Sequence, residues 1–330
     1  TGGAINFITK KPSSEASLKL RAGAGNYGMW TGRILANSGD MNGLRLSLGY
    51  LHRQRNGVVD DLLEPKKSRD PGATKVDSVR AAIDWDMTDT FNVYNVFDYT
   101  RIKGAPMVMQ LAAVGNGTFR PNVTLGGNTF SQVQPANVAG YLNASTVVEP
   151  ACNKTVSRAY RDTVCLNSGN QSQDTIWGNM FRMELDLPTI TVRSTTSYRK
   201  WSNDIQGGDL DGLGTIRGPL FNIGSPSAPL ATFTGFPTSV LTGVGIPAGT
   251  AAFLTAGSVP TTTAPLFAAQ TQRGQKQFSQ ELEFVSSTDG DFQWVAGAFY
   301  FHESGYENNV QNFGFALDTN QAVYIPSTMQ

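Results

Sequence analysis

The residues able to do chemistry are few in this chain, and they are badly placed for catalysis. Its two histidines, His52 and His302, lie 250 positions apart, each near the outer end of a predicted strand, and are read as rim residues. Glu281 and Glu283 share one face of a predicted strand. They could act as a carboxylate pair, but ion pairs with Arg or Lys of neighbouring strands are the reading taken. Asp209-Leu210-Asp211-Gly212 opens like a calcium loop but lacks the terminal Glu, so a turn is expected there. No GxSxG, HExxH, CxxC or phosphate-loop spelling occurs. The residues therefore suggest neither an enzyme nor a cofactor. Cys152 and Cys165 are thirteen residues apart in a polar stretch, a spacing that suits neither a zinc pair nor a redox motif. A disulfide closing a loop in an oxidising compartment is the reading taken, with two free thiols as the alternative. Such a bridge adds roughly 3 kcal/mol in the chain-entropy picture.

The elements that hold these residues follow from composition and period. Charges balance at 26 basic and 26 acidic residues, which removes any electrostatic case for nucleic acid. Glycine is abundant at 35 and only 16% of residues are charged, as suits a turn-rich β protein. No apolar run reaches the roughly 18–20 residues of a spanning helix. Spanning strands need only about 9–11 residues with one apolar face.

Nine segments alternate in that way: Ser17–Gly25, Gly28–Asn37, Gly43–Arg55, Val76–Met87, Phe91–Arg101, Thr175–Leu187, Thr189–Asn203, Gln275–Ser287 and Phe292–Glu303. Leu44, Leu46, Leu48, Ile83, Trp85, Met183 and Ile190 fall on the apolar face. Arg45, Arg80, Asp84, Arg182 and Arg193 fall on the other. Such lengths exceed the 5–6 residues usual in soluble strands. Short turns at Ser38–Asn42, Thr88–Thr90, Pro188 and Thr288–Asp291 alternate with long connections at Asn56–Lys75, Ile102–Asp174 and Asp204–Gly274, and a further one is expected after Gly305. That asymmetry is the one found in outer-membrane barrels. Tyr50, Tyr99 and Tyr198 mark one end of the apolar faces, and Trp85, Phe91, Phe292 and Trp294 mark the other, as two interfacial girdles would.

The chain opens TGGAINFITKKP: a glycine turn, a short strand and a charged stop ending in proline. With FSQELEFVSS (278–287) and WVAGAFYFHES (294–304), this spelling resembles the TonB-dependent outer-membrane receptor family. The resemblance implies an all-β fold: an antiparallel transmembrane β-barrel of about 22 strands enclosing a plug. Residues 1–12 would be the C-terminal end of the plug, with Gly2, Gly3, Ala4, Ile5, Asn6, Phe7 and Ile8 in its last strand. Residues 13–330 would be about nine strands of the barrel, a fragment that cannot close. The implied function is energy-coupled uptake of a scarce ligand across the bacterial outer membrane, with a ferric siderophore or another nutrient as ligand. The implied partners are outer-membrane lipid and the TonB complex, the latter reached through a segment upstream. Between 218 and 272 no residue is charged. Phe221, Phe233, Phe236, Phe253 and Phe267 are expected in an outer loop over the mouth, either touching ligand or packing the loop. The rival readings are a passive porin and a secreted β-sandwich adhesin or carbohydrate-binding module.

Overall fold

The computed structural model describes residues 10–63, 67–113, 120–125, 128–132, 146–147, 151–152, 156–166, 169–209, 211–216, 267–288, 290–318 and 323–329. Its main feature is one antiparallel sheet in which every strand pairs with its neighbours in sequence. The strands are β1 (Ala16–Gly25), β2 (Met29–Met41), β3 (Leu44–Arg55), β4 (Thr74–Thr88), β5 (Phe91–Gly104), β6 (Gln171–Leu187), β7 (Ile190–Gly207), β8 (Phe267–Ser286), β9 (Val295–Asp318) and β10 (Val323–Met329). No helix occurs among the described residues.

The fold is all-β, as expected, and the nine expected strands are present, with a tenth, β10, following them. Two readings need correction. No long connection opens after Gly305, because β9 continues to Asp318 and turns back into β10. Phe292 lies outside the strand, which starts at Val295. The strands also run several residues past their expected outer ends, so the long connections shorten to residues 56–73, 105–170 and 208–266.

Register fixes the two faces. Leu46 sits opposite Ile83, and Arg45 opposite Asp84, so the apolar and charged sets separate cleanly. One face shows Leu48 (55% exposed), Ile83, Trp85 and Met183 to the surroundings. The other carries a charge network. Arg45 reaches Asp84 at 3.0 Å and Asp86 at 2.8 Å, and Arg193 reaches Glu184 at 2.7 Å and Glu283 at 3.6 Å. Arg199 meets Asp98 at 3.3 Å. The N-terminal linker lies on this charged face, where Lys11 Nζ is 3.1 Å from Asp84 and 5.2 Å from the Tyr94 ring centroid. We call this the lumen face and the apolar one the outward face.

A bulge between Asn37 and Asp40 shifts the β2–β3 register by one residue. It turns Asp40 toward Arg45, at 3.8 Å. Gly39 makes the bend at φ +77°, where a Cβ would come within 2.8 Å of the Ala16 backbone nitrogen.

The alternation makes a sharp contrast testable in the full-length protein reconstituted in vesicles. Leu46→Arg, on the outward face, should cost roughly 2–4 kcal/mol of folding stability. Gln277→Arg, on the lumen face beside Glu303 at 2.8 Å, should stay within about 1 kcal/mol. Urea titration of the folded fraction measures both, and equal costs would reverse the facing assigned here.

Candidate functional site

The three long connections leave from the same end of the sheet, and their described parts pack on one another. Asp60–Asp61 pairs in parallel with Thr163–Val164, with Asp60 N donating to Asp162 O at 2.8 Å and Leu62 N to Val164 O at 2.9 Å. Cys165 forms a parallel bridge to Leu213. Thr215–Ile216 pairs with Thr146–Val147. Described residues of all three connections thus contribute to one cap at the outer rim.

Its interior is small and specific. Leu213 is fully enclosed at 0% exposure, and Val59, Val164 and Leu166 form an apolar cluster nearby. The glycines flanking Leu213 both have positive φ, +66° at Gly212 and +67° at Gly214. A Cβ on Gly214 would lie 2.9 Å from Cys165 Cβ and 3.4 Å from Cys152 Sγ. Glycine is needed there for both backbone conformation and space. The expected bridge is present: Cys152 and Cys165 are joined, with Cα atoms 5.9 Å apart.

Carboxylates in the cap serve the backbone. Asp209 Oδ1 accepts from Asp211 N at 3.0 Å and Gly212 N at 2.7 Å, and Asp211 Oδ1 accepts from Leu213 N at 2.8 Å. The Asp209–Gly212 stretch is therefore the turn expected of it. Asp61 Oδ1 accepts from Leu63 N and Leu166 N, both at 3.1 Å, which ties two connections together. Asp70, only 1% exposed, accepts from Asp61 N at 3.1 Å. Lys67 bonds Asp60 at the surface, and that carboxylate holds the Lys67 ammonium above its ordinary range. Among the described residues no group of His, Cys, Asp or Glu could hold a metal ion.

The structure does not bring the histidines together. His52 lies on β3, stacked on Trp30 at 4.2 Å with Nδ1 2.7 Å from Asp77, whereas His302 lies on β9 opposite Phe278. Glu283 is ion-paired as expected, with Arg193. Glu281 sits opposite Thr195 and has no ion pair among the described residues. Phe267 is a correction: it opens β8, opposite Phe313, so it belongs to the wall rather than to a loop. Phe221, Phe233, Phe236 and Phe253 lie outside the described residues, as do Gly2, Gly3, Ala4, Ile5, Asn6, Phe7 and Ile8. Sequence reasoning missed Leu213, Asp61 and Asp70. The available signal was a lone leucine between two glycines beside an aspartate turn.

Two recesses accompany the cap. A groove of about 690 Å³ runs along the lumen face between the linker and β1–β4, lined by Lys10, Lys11, Lys19, Arg33 and Arg80 among others. A second, of about 430 Å³, lies where β3–β7 meet the cap and includes Arg69, Lys75, Lys103 and Asp204.

No family model matches the chain, and no curated protein does either. Among solved structures it is similar to the ferric yersiniabactin uptake receptor FyuA from Yersinia pestis. The TM-score is 0.50 at 10% identity, over 99% of this chain and 36% of that one. It also aligns with the siderophore receptor PiuA from Acinetobacter baumannii (TM-score 0.40, 12% identity, 94% and 49% of the two chains). The ferric-catecholate import receptor Fiu from E. coli K12 aligns at TM-score 0.39 and 10% identity, over 94% and 50%. The chain thus spans between about a third and a half of these receptors' lengths. At such identities the likeness with FyuA concerns the fold alone.

If the disulfide and Leu213 hold the cap closed, loosening either should free it without melting the wall. Leu213→Ala should cost the cap roughly 2–5 kcal/mol, and paired Cys152→Ser and Cys165→Ser substitutions roughly 3 kcal/mol. Hydrogen exchange of residues 59–63 and 163–166 should then speed up while β4–β7 stay protected. Uniform protection across both regions would show that the cap does not depend on these groups.

Proposed function

We propose that this chain forms part of the wall and outer cap of an energy-coupled outer-membrane receptor that takes up a scarce ligand, with a ferric siderophore as the ligand class. In this reading residues 1–12 end a plug and residues 13–330 belong to the barrel. The observation that carries it is the linker on the lumen face: Lys11 is ion-paired to Asp84 and sits over Tyr94, inside the wall rather than outside it. In this reading the plug that residues 1–12 end lies inside the lumen, where it obstructs free flow. Transport then requires work on that segment, and TonB, driven from the inner membrane, is its proposed source. The cap on the opposite rim supplies a surface for ligand capture before any energy is spent. The fold likeness to FyuA, itself a ferric yersiniabactin uptake receptor, supports the ligand class.

Uptake of a radiolabelled ferric siderophore by cells expressing the full-length protein should stop when the proton gradient is collapsed, while binding at the cell surface persists. Accumulation that is indifferent to an uncoupler and linear in external concentration would favour a passive pore and exclude this reading.

A further inference from the structure

The lumen face is not evenly charged. Among the described residues of β1–β3 it carries Lys19, Arg21, Arg33, Arg45, Arg53 and Arg55 against one carboxylate, Asp40. Arg21 and Arg33 stand directly opposite each other, an arrangement that destabilises a sheet unless an anion separates the charges. The acids of the later strands are already engaged. Asp84 and Asp86 meet Arg45, Asp98 meets Arg199, and Glu184 and Glu283 meet Arg193. Among the described residues Lys10, Lys19, Arg21 and Arg33 have no ion pair, and all four are exposed.

This surplus converges on the groove of about 690 Å³ beside the linker. Lys10 and Lys11 line it from the linker side, and Lys19, Arg33 and Arg80 from the wall. Leu35 and Leu51 add apolar surface, and Ser17, Ser47 and Ser78 add hydroxyls. Glu15 is the one carboxylate among the lining residues. Lys11 is held by Asp84, and Arg80 donates to the Tyr94 hydroxyl at 3.2 Å, so the unpaired charge is that of Lys10, Lys19 and Arg33. A recess of this size suits a small-molecule ligand. It reaches from the linker to about the middle of β1–β4, at the other end of the wall from the cap. A ligand released by the cap passes it before leaving the inner rim.

The adjoining chain does not neutralise the groove. Residues 1–11 contain no Asp or Glu, and Lys10 and Lys11 add to the excess. Resting on the receptor reading above, we propose that this groove is a transit site for the transported chelate, and that the chelate carries net negative charge. Iron(III) bound by three catecholates is a trianion, whereas three hydroxamates leave it neutral. Lys10, Lys19 and Arg33 take the anionic oxygens through charge-assisted hydrogen bonds, and the serine hydroxyls complete the contact.

Gallium(III) complexes are redox-inert and share the shape of their iron(III) counterparts, so they separate charge from size. Full-length protein in detergent micelles is dialysed to equilibrium against the trianionic tris-catecholate or the neutral tris-acetohydroxamate. Wild type should retain the trianion in preference to the neutral complex. Lys19→Gln with Arg33→Gln should weaken trianion binding roughly 30-fold, about 2 kcal/mol, and Lys19→Arg with Arg33→Lys should restore it. Arg182→Gln with Arg273→Gln, on β6 and β8 outside the groove, should leave it unchanged. Equal retention of the two complexes would overturn the proposal. So would undiminished trianion binding by the glutamine variant; faster hydrogen exchange of residues 13–15 in that variant would then assign the groove to an acidic stretch of the plug. Trianion binding through Lys19 and Arg33 in a protein whose uptake ignores an uncoupler would support the groove and overturn the receptor reading alone.

Discussion

A peptide group in hydrocarbon has no water to bond, so each one in a membrane wall must be satisfied by the next strand. In this chain that single requirement fixes the strand-to-strand ladder from β1 to β10, and the ladder fixes everything attached to it. Because side chains alternate with a period of two, the ladder also sorts every residue onto one of two faces. A slip of one residue of β4 against β3 would push Asp84 and Asp86 into lipid and drop Ile83 into the lumen. The ion pairs around Arg45 and Arg193 thus act best as markers of register. Their partial exposure, with the Arg45 side chain at 20% and that of Arg193 at 36%, leaves each worth little in isolation. The bulge at Gly39 is one of three register shifts in the described ladder, the others lying at Asp86/Thr88 and Ala316/Asp318, and its effect is to bring Asp40 onto the Arg45 side.

The cap follows other rules. Outside the bilayer the backbone can bond water, so no ladder is imposed and the chain is held by side chains. Asp61, Asp70, Asp209 and Asp211 each accept a backbone N–H, which replaces strand pairing residue by residue. The Cys152–Cys165 bridge and the enclosed Leu213 close the unit. Gly212 and Gly214 permit the tight approach that packs Leu213 beneath the bridge.

This division explains what could be read from sequence. Wall strands carry a periodic signal over ten or more residues, so β1–β8 and the facing of Arg45, Asp84, Arg193 and Leu46 were legible. The outer half of β9 was not, because Tyr306-Glu307-Asn308-Asn309-Val310-Gln311 has lost its apolar alternation; pairing with β8 and β10 holds it extended despite its composition. The cap was legible only where a covalent or turn rule applied, at Cys152, Cys165 and Asp209–Gly212. Its two-residue strands are too short to show a period, and buried aspartates look like solvent-exposed ones until their amide donors are placed.

The same requirement extends from backbone to side chains on the outward face. Asn95 and Asn179 stand among apolar neighbours there, Asn95 two residues from Val93 and Phe97. Asn95 Nδ2 donates to Asn179 Oδ1 at 3.0 Å and to Met180 O at 3.1 Å, and Asn179 Nδ2 returns a bond to Asn95 Oδ1 at 3.3 Å. Farther along the wall Thr196 donates to Gln280 at 2.5 Å, and Gln280 donates to Ser194 at 3.1 Å. Each group finds its partner on an adjacent strand, so a polar side chain can face lipid without leaving all its hydrogen-bonding capacity unmet.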